Sequence, residues 1–390
     1  MKMKIKPIKI GKKFVGDNHP CYIVAEIGSN FDGSFSKAKK MIKLAKAAGA
    51  DAAKFQSFTT EQILSRKGFE TKTTFQSGWK KPVWDVYKDA EFPLSWHKKL
   101  SEYAKKIGID FLSTPYNSQA VNLLKKINVP AIKIGSGDIT DIEFLKFVGK
   151  TKKPIFLATG ASTMKEVKEA IKAIKSNGNN RIVLMQSITQ YPSPIEEANL
   201  EVLTTYKKKF SLNVGYSDHS PGSLVMLSSV VLGSCVVEKH FTDNEKLKGP
   251  DHPHAMNPNQ FAKMVNDIRL IESAKGNGIK KVEKSEKETR IIQRRSVFTI
   301  TKIKKGQKFT RKNIRTLRPF IGLPASEFGK IINKKNYFKN SLKILEKDAI
   351  DVMIISDYNT KGIKGVNTQN NSNWHNLILK RGSSEAQGAV

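Results

Sequence analysis

The sequence predicts an α/β protein, a (β/α)8 TIM barrel followed by a small, mostly β domain, and three observations support this. Short apolar runs that end in polar residues alternate with amphipathic helical segments. Eight such strand ends occur within roughly 240 residues, as a closed parallel barrel requires. The runs are continuously apolar, which is typical of parallel strands buried on both faces. In order, the strand ends read YIVAEIGSN, DAAKFQS, IDFLSTPYN, AIKIGSGD, PIFLATGAS, RIVLMQSITQYP, LNVGYSDHS and CVVEKHF.

Composition shifts along the chain predict where the domains begin and end. In residues 4–15, apolar and polar residues alternate on both sides of a glycine. This pattern predicts a hairpin that closes the bottom of the barrel. A polar, lysine-rich stretch follows the last barrel helix, expected over Pro258 to Ala274, and has the composition of a linker. The predicted domains are a catalytic barrel over 1–275 that includes the hairpin, a linker over 276–292, a compact β domain over 293–353, and a polar, poorly ordered tail over 354–390.

The connection between Gln56 and Phe111 is much longer than the other connections. Long loops in compact domains are usually functional or disordered, and this one leaves the face where barrel enzymes hold their active sites. We therefore expect the insert to form a partial lid.

The chain is strongly basic, with 68 Lys and Arg against 35 Asp and Glu and a formal net charge of +33. Such a charge suits nucleic acid, an anionic surface or small anionic substrates. The lysines are spread over the solvent faces of most predicted helices and are not gathered with aromatic residues in one stripe. We therefore expect no nucleic-acid partner.

Neither a membrane segment nor a disulfide is expected. No run of about 18 apolar residues occurs, so we expect a cytoplasmic protein without a membrane partner. Cys21 and Cys235 lie inside apolar strand runs without the spacing of metal ligands, which predicts buried, reduced thiols.

Two histidines end neighbouring predicted strands. His219 follows Asp218, and His240 follows Glu238 and Lys239. The carboxyl ends of adjacent barrel strands meet on one face, so the two imidazoles could share a divalent metal. A single histidine would more simply cap its strand with a hydrogen bond, but a matched pair favours ligand chemistry.

Two lysines interrupt apolar strands. Lys54 in AAKFQ and Lys133 in AIKIGSG are predicted to point into the barrel, unless the strands are shifted in register and the ammonium groups reach solvent. A buried ammonium is costly unless paired, so the pair indicates a strong anion or a Schiff-base role. Together with nearby hydroxyls and a metal held by two histidines, the lysines suit the binding of a phosphorylated anion that reacts with a metal-polarised carbonyl. Glu26 would then transfer protons in the reaction.

The ordered motifs resemble the sialic acid synthase family. These are AEIGSN, AAKFQ, FLSTP, IKIGSGD, ATGAS, YPSP, GYSDHSPG, EKHFT and KGPD. KIKKGQ and TLRPFIGLP in the small domain resemble the family's antifreeze-like (SAF) domain, and the similarity spans about residues 15–352.

The resemblance implies a transferase of the N-acetylneuraminate synthase type. It would condense phosphoenolpyruvate with an N-acylated aminosugar aldehyde, such as N-acetylmannosamine, to give a nine-carbon 3-deoxy-2-keto acid and phosphate by carbon–oxygen cleavage. Two alternatives stay open: a legionaminate- or pseudaminate-type synthase that uses a diacetamido dideoxy sugar, and a Schiff-base aldolase that uses Lys133. The family's domain-swapped homodimer, in which the SAF domain of one chain covers the partner's barrel mouth, is also implied.

The resemblance assigns roles to residues of this chain. His219 and His240 would hold a divalent metal, manganese with magnesium or cobalt as alternatives. Arg318 in TLRPF would reach the sugar's N-acyl group. The implied catalytic residues are Glu26, Lys54, Lys133 and Asp251, and the implied substrate-binding residues are Gln56, Thr114, Ser136, Thr159, Ser162, Thr189, Tyr191, Glu238 and Arg318.

Three departures from the family pattern leave the sugar open. Ala158 stands where the family often has a serine, so Thr159 or Ser162 would supply the missing hydroxyl. In MQSITQYP, Thr189 stands where the resemblance implies a phosphate-facing residue that is commonly serine or asparagine in the family. The segment DHPHAM adds His252 and His254 beside Asp251, where they could alter sugar contacts or add a metal ligand.

Overall fold

The structure, a computed structural model, divides into two compact units, Met1–Gly278 and Ile279–Val390. It describes residues 5–71, 81–301, 303–304, 306–336 and 353–354. Except for its first residue, the tail predicted over 354–390 lies outside the described residues.

The first unit is built on eight parallel strands, as the sequence predicts. The strands are β3 (Tyr22–Glu26), β4 (Ala52–Ser57), β5 (Asp110–Pro115), β6 (Ile132–Ile134), β7 (Ile155–Ala158), β8 (Ile182–Ser187), β9 (Asn213–Asp218) and β10 (Val236–His240). The sheet order β5-β4-β3-β10-β9-β8-β7-β6 places β10, the last of them, beside β3, the first, so the sheet curls into a nearly closed barrel whose hydrogen-bonded ladder ends at β5 and β6.

Helices follow the strands and bury one apolar face each against the sheet. Their ends carry local signals: Thr163 and Glu166 form a reciprocal capping box, and Gly108 ends a helix in the left-handed conformation. The helices are α1 (Phe35–Ala47), α5 (Trp96–Ile107), α6 (Ser118–Lys126), α7 (Ile142–Lys150), α8 (Met164–Lys175), α9 (Val202–Phe210), α10 (Leu224–Val231) and α11 (Pro258–Lys275).

The predicted hairpin closes the amino-terminal end of the barrel. Strands β1 (Ile8–Ile10) and β2 (Lys13–Val15) pair antiparallel. Their buried side chains pack into one cluster with residues from the starts of the barrel strands, including Tyr22 and Phe156. The Tyr22 hydroxyl donates to Asp110 Oδ2 at 2.7 Å at the same end.

Alternation along the strands places the polar site above this apolar floor. Val24, Ala52, Leu112, Ala131 and Val236 belong to the inner apolar cluster. Because alternate residues of a strand share a face, the residue two positions later on each strand also points inward. Those residues are Glu26, Lys54, Thr114, Lys133 and Glu238, and all are buried.

The long insert contains three short helices in its described part. They are α2 (Thr60–Ile63), α3 (Arg66–Thr71) and α4 (Val83–Asp89), while residues 72–80 lie outside the described residues. Phe92 stacks on Phe55 of β4 with ring centroids 4.4 Å apart, which anchors the insert to the barrel. Within the insert, Glu91 accepts a hydrogen bond from the Thr60 amide at 2.7 Å. Its role as a lid stays a prediction.

The second unit contains an antiparallel sheet of order β12-β11-β13. Its strands are β11 (Ser296–Thr299), β12 (Ile314–Leu317) and β13 (Met353–Ile354), and its helices are α12 (Glu286–Gln293), which falls mostly within the predicted linker, and α13 (Phe328–Ile331). Val297, Phe309, Ile314 and Ile331 belong to its apolar core.

Both cysteines are buried free thiols, as predicted. None of the helices among the described residues is long and apolar enough to cross a bilayer.

Candidate active site

A buried group of two lysines and two glutamates occupies the upper half of the barrel. The ammonium of Lys133 lies 2.6 Å from Glu238 Oε1, and that of Lys54 lies 3.5 Å from the same oxygen. Lys54 also lies 2.7 Å from Glu26 Oε2 and donates to Thr114 Oγ1 at 3.0 Å. The predicted inward orientation of both lysines is therefore observed, and Glu238 joins them.

The four charged groups have different proton affinities. Burial raises the pKa of Glu26 above its ordinary value and outweighs the opposing charge of Lys54. Burial would also raise the pKa of Glu238, but Lys133 and Lys54 together lower it to about 2. Burial lowers the pKa of Lys133, whereas for Lys54 the charges of Glu238 and Glu26 overcome burial and raise the pKa. Glu238 is thus the ionised carboxylate at neutral pH, and Glu26 is the carboxyl group that takes up a proton more readily.

Gln56 and Glu26 form a second contact at the strand ends. Gln56 Nε2 donates to Glu26 Oε1 at 2.7 Å, and β3 and β4 pair in a register that sets Glu26 opposite Lys54. One oxygen of the Glu26 carboxyl group therefore contacts the Lys54 ammonium group, and the other contacts the neutral amide of Gln56.

Hydroxyl groups converge on Gly160, just after β7. The Gly160 amide donates to Ser136 Oγ at 3.0 Å, and Ser162 Oγ donates to the Gly160 carbonyl at 2.9 Å. A Cβ atom on Gly160 would collide with Thr189 Oγ1 and lie 2.8 Å from Ser136 Oγ. The absence of a Cβ atom at Gly160 therefore leaves room for the hydroxyls of Thr189 and Ser136.

Thr159 does not join this group. Its hydroxyl donates to the Met185 carbonyl at 3.1 Å and accepts from the Tyr206 hydroxyl on α9 at 3.0 Å, so it faces the helices. The inward neighbour is Ala158, whose methyl group cannot replace a hydroxyl. Of the two candidates for the missing hydroxyl, only Ser162 directs its hydroxyl to the Gly160 carbonyl.

Three imidazoles surround Tyr191 at the mouth of the barrel. The ring of Tyr191 lies 4.0 Å from that of His219, 5.9 Å from that of His240 and 5.2 Å from that of His254. The rings of His219 and His240 are 5.6 Å apart, and those of His240 and His254 are 4.8 Å apart. The predicted histidine pair is thus brought together, with His254 beside it.

The imidazoles are set to be neutral. Burial lowers the pKa of His219 to about 4, that of His240 well below its ordinary value, and that of His254 in the same direction. His219 Nδ1 lies 2.7 Å from the Ile188 carbonyl, and because a carbonyl can only accept, Nδ1 carries the hydrogen and Nε2 keeps its lone pair.

The donor atoms of this cluster suit a divalent cation. His240 Nδ1 and His254 Nε2 are buried without a hydrogen-bond partner. Ligand atoms of His240, Asp251 and His254 all lie within 4.8 Å of one another. Unpartnered imidazole nitrogens beside a carboxylate form a donor set that transition metals prefer.

A second buried ion pair lies one residue from each of the predicted histidine ligands. Lys239 Nζ lies 2.6 Å from Asp218 Oδ2 and also donates to the Ser220 carbonyl, and both charged side chains are 1% exposed. Asp218 Oδ1 accepts from the Ser220 amide and hydroxyl at 2.9 and 2.7 Å. The pair ties β9 to β10 and fixes the turn that carries His219.

Replacement of Lys239 by methionine is expected to lower the free energy of unfolding by about 3–5 kcal/mol, because it leaves Asp218 buried without its countercharge. Urea denaturation measures the loss. Lys263→Met is the control, since Lys263 is 76% exposed in its pair with Asp267, and its effect should stay below about 1 kcal/mol. Equal stabilities of the two variants would show that the buried pair does not hold the strands.

Sequence reasoning missed two serines of the inner face. Ser217 Oγ donates to Glu238 Oε1 at 3.2 Å, and Ser187 Oγ is buried without a partner at the end of β8. Both lie two residues after an inward position, Gly215 and Met185, so strict alternation along each strand could have found them.

Arg318 lies outside the barrel unit, at the end of β12 in the second unit. Its side chain is exposed.

Buried lysines, carboxylates and neutral imidazoles at the carboxyl ends of barrel strands define the class of protein: an α/β barrel with the type of site that barrel enzymes carry. The chain belongs to the NeuB family, whose model matches residues 41–280. This confirms the resemblance drawn from the sequence motifs.

The chain is similar to synthases of three acids. N,N'-diacetyllegionaminic acid synthase of Campylobacter jejuni is 39% identical over 329 residues, which cover 82% of this chain and 98% of that protein. Pseudaminic acid synthase of Helicobacter pylori is 34% identical, with coverage of 81% and 93%. The crystal structure of N-acetylneuraminic acid synthetase from Leptospira borgpetersenii matches with a TM-score of 0.66 and 30% identity, covering 74% of this chain and 96% of that one.

Proposed function

We propose that this protein condenses phosphoenolpyruvate with an N-acylated aminosugar aldehyde to give a nine-carbon 3-deoxy-2-keto acid and phosphate. The observation that carries the proposal is the buried Lys54–Glu238–Lys133 group next to neutral histidines. Two ammonium groups at the base of a site suit a small substrate with several negative charges.

Phosphoenolpyruvate would bind at the lysines and hydroxyls. Lys54, Thr114 and Lys133 present charged and neutral donors from neighbouring strands, and Ser136 adds a hydroxyl from the turn that follows β6. Ser162 and Thr189 add hydroxyls around Gly160. Glu238 would keep both lysines charged and oriented, because it bridges their ammonium groups.

The sugar would lie nearer the barrel mouth. Tyr191 and Asp251 lie beside the histidines, and Gln56 contacts Glu26. His219 and His240 would hold the cation, manganese with magnesium or cobalt as alternatives. When bound, such a cation supplies Lewis-acid polarisation of a carbonyl oxygen.

The chain's own residues then account for each bond change. The methylene carbon of phosphoenolpyruvate attacks the aldehyde carbon, and the aldehyde oxygen takes up a proton, for which Glu26 is suited by its raised pKa. The cationic centre left at C2 is captured by water, with Asp251 or Glu26 as the proton acceptor. Phosphate then leaves with the bridging oxygen while Lys54 and Lys133 stabilise its charge, and the C2 hydroxyl passes its proton to the departing phosphate and becomes the ketone.

The candidate sugars are N-acetylmannosamine and the diacetamido dideoxy sugars of legionaminate- or pseudaminate-type synthesis. A panel of these sugars with phosphoenolpyruvate and Mn²⁺ tests the proposal through phosphate release. Release that needs both a sugar and a cation supports it, and no release with any sugar rejects it. Borohydride trapping of pyruvate on Lys133, insensitive to a chelator, would favour the Schiff-base aldolase instead.

Arg318→Ala should raise KM for the sugar by about 10-fold or more and leave KM for phosphoenolpyruvate nearly unchanged. The reason is that Arg318 would contact the sugar's N-acyl group from the SAF domain of the partner in a homodimer, and loss of one charged hydrogen bond costs about 1.5–3 kcal/mol. Steady-state kinetics with each substrate varied provides the measurement. Arg311→Ala is a control on the same unit, and equal losses for both substrates would contradict the assigned role.

A further inference from the structure

The two histidines that follow Asp251, His252 and His254, are separated by Pro253 and have opposite environments. His252 is fully buried with both nitrogens occupied: Nδ1 lies 2.6 Å from Thr242 Oγ1 and Nε2 lies 2.9 Å from Asp32 Oδ1. His254 has a side chain that is 7% exposed, yet its Nε2 has no hydrogen-bond partner. His252 therefore holds the loop, and His254 has a free nitrogen.

A buried nitrogen without a partner is costly, and two lie side by side here. His240 Nδ1 is also buried and unpartnered, and the His240 and His254 rings are 4.8 Å apart. Buried polar atoms in native proteins almost always find a partner, so two adjacent exceptions indicate a ligand that accepts both lone pairs. A cation is such a ligand.

Asp251 is oriented toward the same point. Its Oδ2 accepts from the Ser29 amide at 2.9 Å and the Ser29 hydroxyl at 2.8 Å, which leaves Oδ1 at 3.9 Å from His254 Nε2. Gly28, at φ 54°, permits this approach because a Cβ atom there would collide with Asp251 Oδ2. Outer hydrogen bonds of this kind orient carboxylates that bind metals.

The distances suit a single ion. Bonds of about 2.0–2.2 Å to nitrogen and oxygen place two ligand atoms of one metal at most about 4.4 Å apart. The donor atoms of His240, Asp251 and His254 lie within 4.8 Å of one another, so small side-chain adjustments close the gap.

We propose that His254 is a metal ligand that, with His240 and Asp251, binds one divalent transition-metal ion. The use of that ion in synthesis rests on the proposed function. The new element is His254, a third imidazole in addition to the His219–His240 pair. A set of two imidazoles and a carboxylate prefers cobalt, zinc or manganese over magnesium, which favours oxygen ligands and water. The chain is thus expected to bind Co²⁺ far more tightly than Mg²⁺.

Titration of the metal-free full-length protein with Co²⁺, followed by visible absorption without substrates, tests the inference. His254→Ala should raise the Kd for Co²⁺ by about 10-fold or more and change the shape of the cobalt spectrum. His19→Ala is the matched control, because His19 is an exposed histidine that stacks on Phe14. Circular dichroism of each variant verifies that the fold is kept.

The outcomes separate this inference from the proposed function. An unchanged Kd and spectrum in a folded His254→Ala variant would overturn the inference, even if the protein releases phosphate from phosphoenolpyruvate. Cobalt binding that depends on His254 would support the inference, even if no sugar in the panel is turned over.

Discussion

Replacement of Lys133 by methionine is expected to lower kcat/KM for phosphoenolpyruvate by about 10²–10³, the range measured when a preorganised donor is removed from a developing anion. Methionine keeps the length of the side chain and removes the charge. The variant would lose one of two buried ammonium groups, and Glu238 would lose its partner at 2.6 Å. Phosphate release at varied phosphoenolpyruvate concentration measures the change.

Lys98→Met controls for the general loss of a positive charge, because Lys98 is 76% exposed on α5 and its contact with Glu102 is 3.9 Å long. It should leave kcat/KM within about twofold, as expected for a surface ion pair. A drop of less than about fivefold in Lys133→Met would mean that the buried lysine does not contact the reacting anion.

His240→Ala is expected to reduce turnover by about 10³ or more, because His240 belongs both to the predicted pair with His219 and to the cluster with Asp251 and His254. Loss of a cation that contributes several kcal/mol at the transition state corresponds to a change of this size. Phosphate release at saturating Mn²⁺ provides the measurement. Turnover equal to that of His19→Ala would remove His240 from the cation site.

Much of the barrel could be predicted from the sequence because its signals are local. Each strand is a short apolar run, and each helix has the apolar periodicity that packs on a sheet. The inward orientation of Lys54 and Lys133 follows from the same alternation. That a carboxylate would bridge them did not follow, because Glu238 comes from a strand more than one hundred residues later in the chain.

The orientations of Thr159, His252 and His254 depend on backbone geometry that the sequence pattern does not reveal. Thr159 directly follows the inward-facing Ala158, so its side chain points to the opposite side of the strand, where its hydroxyl contacts Tyr206 on α9. His252 and His254 are equivalent as residue types, and only the short helical turn after Asp251 decides which one meets His240.

The partner of Lys239 could not be predicted from alternation along its own strand. A lysine between the inward-facing Glu238 and His240 must point toward the helices, where the sequence offers no sign of a countercharge. Asp218 provides it from the neighbouring strand at 2.6 Å. The pairing depends on the β9–β10 register, which sets Lys239 opposite Asp218.

The proposed reaction is tested most sharply with phosphoenolpyruvate labelled with ¹⁸O in the oxygen that bridges carbon and phosphorus. With Mn²⁺ and an N-acylated aminosugar, we expect the released phosphate to carry the label and a nine-carbon keto acid to form in equal amount. Label found in the keto acid, or no phosphate with any sugar of the panel, would contradict it.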